Sequence, residues 1–89
     1  MTFRKRRGID LSYVEQGYIA FSCWRYFKQP PEVQQKIINL CMQIGGEHYV
    51  ALFEVMTRPD LSVAAVAMRH YISESLLYSL RKKFYESWE

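Results

Sequence analysis

The stretch SVAAVAMRHYISESLLYSLRKKFY, Ser62 to Tyr85, decides how this chain is read. Two runs in it repeat their apolar residues every three to four positions, the period of an α-helix. One covers about Ser62 to His70 and the other about Glu74 to Trp88, with Tyr71, Ile72 and Ser73 between them. Ala67 is small enough to let two helices cross closely, and Val66 sits beside it on the inner side. Ile72 follows five residues after Ala67 and plugs the turn. Leu77, Leu80, Phe84 and Trp88 face inward from the second helix. Ser73 stands just before that helix, where its hydroxyl can accept an orphan backbone N–H.

This arrangement resembles the helix-turn-helix of insertion-sequence transposases, of region four of bacterial sigma factors and of small phage or mobile-element regulators. The run Ile72-Ser73-Glu74-Ser75-Leu76-Leu77-Tyr78 is similar to the start of a recognition helix in the transposase group. The resemblance spans residues 62–85 and implies a second helix that enters a major groove. Two positions depart from the pattern. His70 stands where an apolar residue is usual, and Tyr71 where glycine often supplies a left-handed turn, a conformation that strains other residues by roughly 1 kcal/mol.

With Leu77 and Leu80 inward, the outward line of the last helix is Ser75, Tyr78, Ser79 and Lys82, flanked by Glu74, Arg81 and Tyr85. Hydroxyls and an amine can hydrogen-bond base edges or phosphates, and a tyrosine can pack on a sugar or a thymine methyl. Arg81, Lys82 and Lys83 suit the phosphate backbone. They equally suit the negative end of the helix dipole and a solvated face.

Charge placement adds a second element. The net charge is only +3, but residues 1–9 hold Arg4, Lys5, Arg6 and Arg7 and no acid, whereas residues 10–57 hold three cations against five acids. Residues 58–89 hold five cations against four acids. Positive charge thus gathers at the two ends, which points to a polyanion as partner. Four successive cations predict an arm that is mobile when free and lies on phosphates or in a minor groove when bound. A solubilising tail is the plainer reading of the same residues.

Between these ends the chain reads as helices. One spans about Leu11 to Phe27, with Asp10 as its cap and Val14, Tyr18 and Phe21 on a face widened by Ala20, Trp24 and Phe27. A helix this aromatic should be largely covered. A second runs from Pro31 to Ile44 with the stripe Val33, Ile37, Leu40, Cys41 and Ile44, ended by a left-handed cap at Gly45-Gly46. A third spans about Glu47 to Thr57, with Tyr49, Leu52, Phe53 and Met56 inward, and Arg58-Pro59-Asp60 breaks it. Eighty-nine residues, half of them apolar and with three prolines and four glycines, make one domain. The expected fold is all-α: a compact bundle of about five helices over residues 10–89, a helix-turn-helix at 62–85, and a flexible basic arm at 1–9.

Other classes find less support. The longest charge-free stretches fall well below the ~20 apolar residues that span a bilayer, and no apolar segment follows Arg4 to Arg7, so a cytoplasmic location is expected. Cys23 and Cys41 read as buried reduced thiols, with a disulfide or metal pair the lesser alternative. His48 and His70 lie on separate helices with no carboxylate-His spacing to activate a nucleophile, Glu47-His48 reads as a first-turn acid beside a surface histidine, and Gly45-Gly46 lacks the residues of a phosphate loop. No enzyme activity, metal, cofactor or small-molecule substrate is therefore expected. The expectation is a DNA-binding regulator or accessory factor, acting on double-stranded DNA through Arg4, Lys5, Arg6, Arg7, Ser73, Ser75, Tyr78, Ser79, Arg81, Lys82 and Lys83. The alternative is a helical protein–protein interaction module, in which Tyr13, Tyr26, Gln34 and Gln35 build a homodimer or dock a larger partner.

Overall fold

Ser12 opens the first helix, α1 (Tyr13–Trp24). Its hydroxyl accepts from the Glu15 amide at 3.1 Å, and the Glu15 carboxylate accepts from the Ser12 amide at 2.9 Å. This reciprocal pair satisfies two orphan donors, so Ser12 and not Asp10 is the cap. A 3-10 turn at Tyr26–Lys28 leads to Pro30 and to α2 (Pro31–Gly45), where Pro31 has no amide hydrogen to lose. Gly46 has φ 54° and ψ −124°, a backbone that glycine reaches easily but not the left-handed cap expected here. The chain passes through a 3-10 turn at Gly46–His48 straight into α3 (Tyr49–Thr57), so α2 and α3 are two limbs of one bent helical run. After the Arg58-Pro59-Asp60 corner come α4 (Val63–His70) and α5 (Glu74–Glu86), capped by the hydroxyls of Ser62 and Ser73.

The computed structural model describes residues 3–88; Met1 and Thr2 of the arm and Glu89 lie outside the described residues. Those described are helical or irregular, with no strand. The radius of gyration is 12.0 Å, matching the ~12 Å of a folded chain this long. At the centre lies α3, which packs against each of the other four helices and buries Ala51, Leu52 and Met56. Around it sit Ile37 and Cys41 of α2, Val66 and Ala67 of α4, and Leu77, Leu80 and Phe84 of α5. Among the described residues, no helix is long and apolar enough to cross a membrane. Cys23 and Cys41 are both buried free thiols.

Three expectations about packing are corrected. The core face of α1 is Gln16, Ile19, Ala20 and Cys23, while Val14, Tyr18, Phe21 and the following Phe27 stand in solvent. Small side chains let α1 approach α3 closely, and the bulkier aromatics do not fit that contact. Tyr26, expected on the surface, is buried with its ring edge-on to Phe53 at 4.9 Å, and Gln34 is half-buried and donates to the Tyr26 carbonyl. Residues 3–9 are docked rather than free. Phe3 and Ile9 are core residues on either side of the cations, and Phe3 lies against Tyr13 and Trp24. The apolar pair, not the four charges, decides where this segment lies.

Candidate functional site

A cleft of about 410 Å³ opens where three parts of the chain meet. Arg4 and Arg6 reach it from the N-terminal segment, Arg58 and Ser62 from the corner between α3 and α4, and Tyr78 and Arg81 from α5. The segment is held in place by Gln16, a fully buried amide in α1. Its oxygen accepts from the Arg6 amide at 2.7 Å and its nitrogen donates to the Leu11 carbonyl at 3.0 Å. The polar side chain inside α1 thus satisfies backbone groups that docking removes from water.

Charge in the cleft is unbalanced. Arg58 is answered locally by Asp60, whose two carboxylate oxygens lie 3.0 and 2.8 Å from its Nε and Nη2. Arg4, Arg6 and Arg81 have no carboxylate within ion-pair distance among the described residues. The Nε atoms of Arg6 and Arg81 are buried and have no hydrogen-bond partner. The Arg81 guanidinium lies over the Tyr78 ring at 5.0 Å, and Arg6 over Phe3 at 5.5 Å. Burial, and then the neighbouring Arg6 charge, push Arg81 below the ordinary arginine range. Burial also raises the Tyr85 hydroxyl, against the pull of Arg6 and Arg81. Buried donors without acceptors are rare in folded proteins. Like charges held together without an acid make a place that an anion would relieve.

Beside this cleft, α4 and α5 are joined by Tyr71, Ile72 and Ser73. Tyr71 has φ 56° and ψ 43°, the left-handed conformation, with its side chain 95% exposed. Its amide and that of Ile72 bond the carbonyls of Met68 and Ala67 and close the end of α4. Val66, Ala67, Leu77 and Leu80 are buried between the helices, and Ile72 is half-buried against them. Ser75, Tyr78, Ser79, Lys82 and Lys83 are exposed along α5, and Ser73 caps it by accepting from the Leu76 amide at 3.1 Å. Lys5 and Arg7 are exposed but do not line the cleft. Tyr85, expected on the outer flank, is buried instead.

No protein-family model, curated protein or solved structure matches this chain.

Sequence reasoning therefore named four of the cleft's residues, Arg4, Arg6, Tyr78 and Arg81, but not their meeting. It missed Arg58 and Ser62, which carried no signal beyond a helix break and a cap. It also missed the partner of His70. His70 Nε2 lies 3.2 Å from Glu54 Oε1, and Arg69 lies 3.5 Å from the other oxygen of that carboxylate. This pairing ties α4 to α3 and gives the half-buried His70 ring a polar partner. Among the described residues, no group of three or more His, Cys, Asp or Glu side chains could hold a metal ion.

Proposed function

We propose that this chain is a DNA-binding regulator or accessory factor whose α4 and α5 act as a helix-turn-helix. In this reading the Ser75, Tyr78, Ser79 and Lys82 line of α5 reads base edges in a major groove. Arg4, Arg6 and Arg81 take a backbone phosphate in the cleft beside it. The observation that carries the reading is the pair of half-buried arginines, Arg6 and Arg81, with unpaired Nε donors next to an exposed hydroxyl-and-lysine helix face. A phosphate in the cleft supplies the negative charge these arginines lack, and guanidinium groups match its geometry. The resemblance to transposase and sigma-factor motifs supports the same conclusion.

The test is selection of duplexes from a random pool at about 0.15 M salt, followed by Ser79→Ala with Lys82→Ala. Enrichment of a short motif, with affinity for it lost in the double variant and helical content unchanged, is the expected outcome. Failure to retain any duplex overturns the reading. The second reading, a helical interaction module that leaves DNA alone, draws on the apolar residues that α1 turns to solvent.

A further inference from the structure

One face of α1 is covered only at its edge, where the Tyr18 ring meets Trp88 edge-on at 6.5 Å. Val14, Tyr18 and Phe21 are 75%, 66% and 44% exposed, and Arg25 continues their line at i, i+4, i+7 and i+11. The opposite face of α1 is already the core face described above. A helix apolar on both sides belongs in a covered position, and a contiguous exposed apolar patch marks a contact surface.

We propose that this face pairs with a second copy of the chain, the two α1 helices running antiparallel about a two-fold axis between Tyr18 and Phe21. A two-fold contact requires that if residue i meets residue j, j also meets i. The spacing satisfies this, because Tyr18 then meets Phe21 of the other copy, and Val14 meets the aliphatic stem of Arg25. The charges choose the direction. Glu15 sits in the first turn of α1, Arg25 sits just past the last, and both are exposed. Among the described residues, Arg25 has no ion-pair partner. Antiparallel pairing sets Glu15 of each copy beside Arg25 of the other, at both ends of the contact. Parallel pairing would set acid against acid and base against base. Tyr13 and a cleft of about 470 Å³ between Val14, Tyr18, Lys36 and Trp88 flank the stripe.

With the flanking Tyr13 included, the exposed parts of Val14, Tyr18 and Phe21 amount to at most about 500 Å² per copy, given that an aromatic residue buries roughly 150–250 Å². Twice that is near the roughly 1,000 Å² at which specific interfaces begin, which places the pair among weak, reversible contacts.

This inference does not rest on the DNA reading, and its test needs no DNA. Sedimentation of the full chain across the micromolar range should show a monomer–dimer equilibrium. Tyr18→Glu should leave it monomeric with unchanged helical content, and Arg25→Glu should weaken pairing at least tenfold. Mixing Arg25→Glu protein with Glu15→Arg protein should restore a dimer, because each opposed pair is then complementary again. A monomer at every concentration overturns the proposal, as does a dimer indifferent to Tyr18→Glu. If Glu15→Arg fails to fold, having lost part of the α1 cap, the Tyr18→Glu and Arg25→Glu results still decide.

Discussion

Gln16 accepts a 2.7 Å hydrogen bond from the backbone amide of Arg6, ten residues earlier, from a position with no exposure to solvent. That bond, with the one from its nitrogen to Leu11, connects the N-terminal segment to α1 and so sets where Arg6 meets Arg81. Gln16→Leu keeps the volume but leaves the Arg6 amide and the Leu11 carbonyl unpaired. The expected loss is about 1–3 kcal/mol. Hydrogen exchange should quicken at residues 3–11 while the α5 amides keep their protection. Equal acceleration throughout the chain would count against a local anchor.

Arg6 and Arg81 oppose each other in the folded state, so removing one should help the fold and harm binding. Arg81→Met keeps the packing stem and discards the charge. Its thermal midpoint should equal or exceed that of the parent at low salt. Duplex affinity should fall for all sequences alike, with the log–log salt slope, about −3 to −5 in the parent, shallower by roughly one. An unchanged slope would remove Arg81 from the phosphate contact.

Tyr71 adopts a left-handed backbone while its side chain touches almost nothing. Tyr71→Gly should therefore stabilise the domain by up to about 0.5 kcal/mol, the roughly 1 kcal/mol of left-handed strain less the extra freedom glycine gains when unfolded. Thermal melting should rise by a few degrees. A lower melting temperature would mean that the tyrosine makes a contact worth more than the strain.

Burial holds both thiols neutral in the folded protein, with Cys41 pushed up to about 12 and Cys23 raised further by burial and by Cys41 beside it. An unfolded thiol ionises near 8.5. Because the folded values are the higher ones, the stability they confer is complete below about pH 8.5 and declines as pH rises toward 12. Denaturant titrations from pH 8 to 11 should show this decline. Replacing both cysteines by alanine should flatten it in part, the remainder coming from Tyr85, whose hydroxyl burial also raises. Parallel curves for parent and variant would contradict the assignment. Thiol reagents should label neither cysteine until the chain unfolds.

Elements built from local signals were legible in the sequence. The α2 stripe of Ile37 and Cys41, the start of α2 at Pro31, and Ser73 as the α5 cap all depend on neighbours within one turn. The inward set of Leu77, Leu80, Phe84 and Trp88 was legible for the same reason, since one face of α5 is strongly apolar and the other polar. On α1 both faces are apolar, and periodicity alone could not choose between them. The face with small residues and Gln16 went inward because only it fits against α3.

The sequence by itself determined an all-helical chain, the limits of most of its helices and the polar outer line of α5, because these follow from spacing and capping within a few residues. Tertiary structure alone decided that Phe3 and Ile9 dock the basic segment, that Arg4 and Arg6 meet Arg81 across 75 or more positions, and that Glu54 faces His70. Such meetings depend on how three-dimensional surfaces fit and on which buried polar groups find partners, and neither is written in any local stretch of residues.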